Sequence, residues 1–182
     1  MDARIALPHN AQPGPGSVAM QEPSYVVDAS EFEEMYLREY PGLYAVAAAL
    51  AGIDNGDDIV QDTMFKALIH WPQVRGLDRP GGWCHRVLVN LCRSFWRRRR
   101  LEDRFAAKYL SKSQSTCGPS EDIVAFWSAV RCLPTRPRMA VALYYAADYS
   151  AGEIASILDV PEGTVRSDLS RAKAALVNEL RG

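Results

Sequence analysis

The sequence predicts an all-α protein: two small helical domains joined by a flexible linker, the second a helix-turn-helix domain. Three observations lead there. Apolar residues recur at helical spacing in every long segment after residue 30. No stretch of useful length alternates apolar with polar residues, the pattern of a half-buried strand. Residues 106–119 (AAKYLSKSQSTCGP) end in a Ser/Thr/Gly/Pro cluster that divides the helical segments into two groups. A length of 182 residues suits one domain or two small ones, and a 48% hydrophobic content excludes a mostly disordered or collagen-like chain.

Residues 1–27 hold Pro8, Pro13, Pro15 and Pro23 with little periodicity, and read as a disordered tail. The first domain spans residues 28–105. Ser30 followed by Glu33 makes a capping-box pair, opening a helix that runs to about residue 51 and is interrupted or bent near Pro41 and Gly42. A second helix follows Asp54 and runs to Trp71, where Pro72 and the stretch VRGLDRPGG break the chain. A third covers residues 82–104. After the linker, the second domain at residues 120–182 carries helix-sized segments at 120–132, 134–147, 150–158 and 162–180. Pro134 suits a first helical turn, and Ser150 with Glu153 forms another capping box.

Charge is segregated although the net charge is only -1. Over residues 28–62 nearly every charge is acidic, against Arg38 alone. Over residues 86–108 the balance reverses, with eight Lys and Arg against Glu102 and Asp103. Such asymmetry predicts two surfaces with different partners, one suited to a basic protein and one to a phosphate backbone.

The third helix places Arg86, Asn90, Arg93, Arg97, Arg100 and Arg104 on one stripe, with Cys84, Val87, Leu88, Leu91 and Phe95 on the other side. Trp83 and Trp96 flank that ridge, and Arg98 and Arg99 complete a run of four consecutive Arg. Arg neutralises phosphates and aromatic rings stack on unpaired bases, so the ridge suits a nucleic-acid strand. A solvated charged face is the plainer reading, but four adjacent cations repel one another unless a counter-charge is present.

The second helix buries Val60, Met64, Ala67 and Trp71 on one face, yet Phe65 and Ile69 lie opposite, beside Asp58, Gln61 and Asp62. Burying both faces would strand two carboxylates without water. A protein-binding surface fits better, with Asp58 and Asp62 available for cations of the partner. In the C-terminal pair, Ile154, Ala155 and Leu158 face inward from the first helix, and Val165, Leu169, Ala172 and Leu176 from the second. The outward face of the second carries Thr164, Arg166, Ser167, Ser170 and Arg171, the short hydroxyls and guanidiniums that a recognition helix sets against base edges and phosphates. A plain helical hairpin is the competing reading.

At this point three stretches together carry a resemblance: DDIVQDTMFKALIHW, PGGWCHRVLVNLCRSFWRRRR and LPTRPRMAVALYYAADYSAGEIASILDVPEGTVRSDLSRAKAAL. They resemble, in order and at family-like spacing, the two domains of bacterial extracytoplasmic-function (ECF) sigma factors of the sigma-70 family. The resemblance implies a promoter-specificity subunit. Asp58, Gln61, Asp62, Phe65 and Ile69 would bind the β-prime clamp of bacterial core RNA polymerase, with the β flap as a further contact. Trp83, Arg86, Asn90, Arg93, Trp96, Arg97, Arg98, Arg99 and Arg100 would capture and open the -10 element. Thr164, Arg166, Ser167, Ser170 and Arg171 would read the -35 element of promoter DNA. It also admits an anti-sigma factor covering both lobes. Ser94 stands where many members carry an acidic residue, and Pro137 where a polar one is usual, which bears on where that helix starts.

A stand-alone dimeric helix-turn-helix regulator is the alternative, and it leaves the acidic second helix without a role. No phosphate loop, activated nucleophile or metal cluster is visible, so neither an enzyme nor a cofactor is expected. Cys84 and Cys92 lie eight residues apart on one helix, about 12 Å, too far for a disulfide, and buried reduced thiols are expected throughout. No apolar run reaches the ~20 residues of a membrane span, and the first residues lack an apolar signal core, so a cytoplasmic protein without membrane insertion is expected.

Overall fold

The computed structural model describes residues 29–106 and 121–181. The expected tail at 1–27 and nearly all of the expected linker at 106–119 lie outside those residues. The described residues form eight helices: α1 (Ala29–Ala51), α2 (Ile53–Ile69), α3 (Trp71–Val74), α4 (Pro80–Ala106), α5 (Glu121–Cys132), α6 (Thr135–Ala146), α7 (Ala151–Leu158) and α8 (Glu162–Arg181). There is no strand among the described residues, and none of these helices is long and apolar enough to cross a membrane.

Local chemistry explains most boundaries, and several differ from expectation. α1 begins at Ala29, so Ser30 lies inside the helix rather than capping it. The helix continues through Pro41 without interruption. Gly52 joins α1 to α2 at φ 89°, a conformation that costs an L side chain strain. Where α1 and α2 cross, a Cβ on Gly56 would sit 3.3 Å from the Ala48 backbone nitrogen, so the glycine permits close approach. α2 stops at Ile69, and Trp71 belongs to the separate turn α3. The reason is Pro72, whose ring clashes with the carbonyl of residue 68 and cannot continue the helix. Pro80 opens α4 two residues earlier than expected. Pro134 is the N-cap of α6 rather than within it, and Pro137 falls in the first turn, where its missing N–H breaks no helical bond. The Ser150/Glu153 capping box of α7 is formed, and Asp159 closes that helix in the left-handed region at φ 57°.

The two groups of helices share apolar packing. Leu43, Val46 and Leu50 of α1 and Leu88 of α4 are buried in one continuous cluster with Met139 and Leu143 of α6 and Ile154 and Leu158 of α7. Each fully buried Leu stabilises the fold by about 1.5–3 kcal/mol relative to exposure. A smaller cluster, Val130, Leu133, Val141, Ala172 and Leu176, holds α5, α6 and α8 together. Cys84 and Cys92 are buried, and burial pushes both thiols up to about 12. Cys132 is exposed, contrary to expectation, because it ends α5 at the surface; Cys117 lies outside the described residues.

Candidate functional site

Three faces carry the predicted chemistry. On α2, Val60, Met64 and Ala67 are buried while Phe65 is 62% and Ile69 54% exposed. Asp58, Gln61 and Asp62 are exposed beside them. Among the described residues neither Asp58 nor Asp62 has an ion-pair partner, whereas the neighbouring Asp57 accepts a 2.7 Å hydrogen bond from the Tyr40 hydroxyl. That bond to a carboxylate holds the Tyr40 phenol up at about 12. The five expected residues therefore form one surface of free carboxylates and unpaired apolar side chains.

On α4, Cys84, Val87, Leu88 and Cys92 are buried beneath the ridge, with Leu91 and Phe95 half-buried. Arg86, Asn90, Arg93, Arg97, Arg98, Arg99 and Arg100 are exposed. Within the ridge, Arg93 donates to Asn90 Oδ1 at 3.0 Å, Arg97 to Ser94 Oγ at 3.4 Å, and Arg99 lies 5.9 Å above the Phe95 ring. The one acid partner among the described residues is Glu102, 3.8 Å from Arg98. Among the described residues the ridge is thus largely unneutralised.

The two tryptophans expected to flank the ridge both have contacts within the fold. Trp96 donates its indole N–H to Leu50 O at 3.2 Å, and the Arg138 guanidinium of α6 covers its ring at 4.5 Å. Trp83 is half-buried, in edge contact with His70. Arg86 donates to the Ser156 carbonyl of α7, and Arg79 pairs with Glu153 of the α7 cap. The Ser150 hydroxyl, the Ser150 backbone N–H and Arg79 together pull the Glu153 carboxyl down to about 2. Deeper in this seam, His85 Nδ1 lies 3.0 Å from both Gly81 O and the Tyr149 hydroxyl. The Gly81 carbonyl can only accept, so Nδ1 carries the proton. Burial lowers the His85 pKa, while the same burial raises the Tyr149 phenol to about 12. An open groove of about 600 Å³ runs along the seam, lined by Leu77, Trp83, Arg86, Tyr149, Glu153 and Ser156.

On α8, Val165, Ala172 and Leu176 are buried, and Arg166, Ser167, Ser170 and Arg171 are exposed, with Thr164 half-buried. The five expected residues share the outward side of the helix. Arg166 bonds Glu162 Oε1 at 3.0 and 2.6 Å, and Ser167 donates back to Gly163 O at 2.8 Å. Two residues escaped the sequence reading. Asp168 is buried, and it accepts from Arg136 of α6 at 2.5 and 3.3 Å and from Arg171 at 3.1 Å. The available signal was an acid three residues after Val165, inside the apolar stripe, where an unpaired carboxylate is not tolerated.

Residues 35–102 match Sigma-70 region 2, and residues 123–176 match Sigma-70, region 4. The chain is similar to the ECF RNA polymerase sigma factor EcfG of Rhodopseudomonas palustris, 34% identical over 145 residues that span 77% of this chain and 80% of that protein. It is 28% identical over 154 residues to the ECF RNA polymerase sigma factor SigM of Mycobacterium tuberculosis, spanning 84% and 79% of the two chains. Among solved structures it resembles the sigma factor RpoE of Bartonella quintana in complex with the anti-sigma factor NepR, with a TM-score of 0.73, 27% identity, and coverage of 84% of this chain and 98% of that one. CnrH in complex with the cytosolic domain of CnrY shares the fold at a TM-score of 0.61 and 23% identity, over 84% of this chain and 89% of that one. The chain belongs to the ECF RNA polymerase sigma factors of the sigma-70 family.

Proposed function

We propose that this sigma factor binds core RNA polymerase through the α2 face, engages the -10 element through the α4 ridge and reads the -35 element through α8. It acts in the cytoplasm and has no catalysis of its own. Residues 28–105 and 120–182 are the two functional domains, joined by a linker at 106–119. The observation that carries the reading is the exposure of Phe65 and Ile69 beside unpaired Asp58 and Asp62, on a helix whose opposite face is fully buried. A free-standing regulator has no use for such a surface.

The mechanism follows from charge and access. Acidic α2 is drawn to a basic element of the polymerase, and apolar contact by Phe65 and Ile69 holds it there. Arg97, Arg98, Arg99 and Arg100 neutralise phosphates along α4, and Trp83 and Trp96 offer ring faces to unstacked bases, which favours melting. Because Arg86 and the Trp96 ring are engaged by α7 and α6, the two lobes part before the -10 strand is captured. An anti-sigma factor that holds both lobes opposes this step, and the similar sigma factor RpoE is found in complex with the anti-sigma factor NepR.

The test is co-elution of the purified chain with bacterial core RNA polymerase on a sizing column. Stoichiometric co-elution that is lost on Asp58→Arg supports the reading. A chain that ignores polymerase and elutes as a DNA-binding dimer replaces it with a stand-alone regulator.

A further inference from the structure

We infer that Arg136 and Arg171, held by the buried carboxylate of Asp168, form a fixed clamp for a DNA backbone phosphate, and that Arg171 is therefore not a reader of base edges. The inference rests on the reading of α8 as the helix that meets the -35 element, and it reassigns one of the residues expected to give that helix its sequence preference.

Asp168 lies on α8, with its side chain 2% exposed. Its Oδ2 accepts from Arg136 Nε at 2.5 Å, and its Oδ1 accepts from Nη2 of both Arg136 and Arg171, at 3.3 and 3.1 Å. One carboxylate oxygen thus draws together guanidiniums from two helices. Arg171 is fixed a second time, by donation from Nε to the Ser167 carbonyl at 3.2 Å. Each guanidinium has five N–H donors, and these bonds leave each with both Nη1 donors and one on Nη2. Two cations against one anion leave a net positive charge at the surface, where the Arg171 side chain is 69% exposed. Planar forks with fixed orientation and spare donors match the geometry of a phosphate.

Two comparisons separate this pair from a base reader. Arg166 is also bonded to an acid, but Glu162 is 47% exposed and sits in the first turn of α8. Solvent and an approaching phosphate both loosen that pair, freeing Arg166 to move. Asp168 cannot leave its site, so Arg171 and Arg136 stay where they are. Position agrees. Arg171 lies nine residues beyond Glu162, roughly 14 Å along the helix axis, whereas the N-terminal residues of a recognition helix are the ones that contact base edges. A helix entering the groove by its first turns sets Thr164, Arg166 and Ser167 against bases and leaves Arg171 at the phosphates.

The experiment uses the full chain assembled with core polymerase. A -35 sequence is selected from a randomised pool, and affinity is measured on that sequence and on single-base -35 variants over a range of salt. Arg171→Ala and Arg136→Ala are each expected to weaken binding by one factor common to all -35 sequences, and each to reduce the salt slope by about 0.9. Arg166→Ala is expected to flatten the base preference instead. Asp168→Asn removes a negative charge beside DNA, so simple electrostatics calls for tighter binding. The clamp calls for weaker binding, because both forks are released. Where Asp168→Asn does not fold by circular dichroism, the pair Arg136→Lys and Arg171→Lys takes its place: charge and salt slope are kept, and affinity falls. Loss of -35 preference on Arg171→Ala, or tighter binding by Asp168→Asn, overturns the clamp and leaves the -35 reading standing. A wild-type holoenzyme that selects no -35 sequence removes that reading, and the clamp with it.

Discussion

The two cationic helices, α4 and α8, use the same residue type in opposite ways. Among the described residues, the run from Arg97 to Arg100 on α4 has a single acid partner, Glu102, and its other contacts are the Ser94 hydroxyl and the Phe95 ring. On α8, Arg166 and Arg171 each bond a carboxylate, and Arg136 of α6 shares the second. An unneutralised ridge attracts any phosphate chain and loses that attraction as salt rises. Arg136 and Arg171, held by the buried carboxylate of Asp168, sacrifice charge for fixed direction, which is what positioning on a duplex requires. The contrast suits a helix that grips a melted strand and one that docks on a paired one.

The hardest test of this contrast removes the ridge. Alanine at Arg97, Arg98, Arg99 and Arg100 together is expected to weaken promoter complexes about a hundredfold at physiological salt, and to reduce the salt slope by about 3. Equal open-complex formation by mutant and wild type would show that the ridge is only a solvated face. Replacing Arg166 by Ala is a smaller change of another kind. It is expected to cost about 1–3 kcal/mol on the preferred -35 sequence and much less on others, read as a ratio of affinities. A uniform loss would make Arg166 another backbone contact and erase the distinction.

Two predictions concern the seam that covers part of α4. Ser150→Ala breaks the capping box of α7 and loosens Glu153, the partner of Arg79. It is expected to lower stability by about 1 kcal/mol in urea unfolding; an unchanged midpoint would mean that the cap is not what holds α7 in place. The second is pH dependence. Burial lowers the His85 pKa below its ordinary 6.5, so the unfolded chain takes up a proton that the folded chain resists. Stability contributed by neutral His85 is therefore fully present above 6.5 and is lost as pH falls through and below that value. Glu39 opposes the shift, and Glu153, held near 2, stays ionised throughout this window. The thermal midpoint should decline between roughly pH 7.5 and 5.5, and His85→Gln should flatten that decline. An identical slope in the variant would place the titrating group elsewhere.

Much of the molecule was legible from residue order, because its signals are local. Helical spacing sorted Val60, Met64 and Ala67 from Phe65 and Ile69, and Ser150 with Glu153 marked the start of α7. Where the reading slipped, a neighbour decided: Pro72 ended α2 before Trp71. Along the chain, Asp168 was simply an acid in a basic helix. Only its burial against Arg136, 32 positions away, gave it a role.

The sequence by itself determined the helices, their inward and outward faces and the segregation of charge, since each depends on residues within a turn or two of one another. Tertiary structure alone decided which outward faces stay open. The contacts that close the seam pair Arg79 with Glu153, His85 with Tyr149, and Trp96 with Leu50 and Arg138. Partners separated by 40 residues or more leave no periodic trace in the chain. They meet because the apolar sides of α1, α4, α6 and α7 are buried together, and the polar rims of those helices are carried into contact with them.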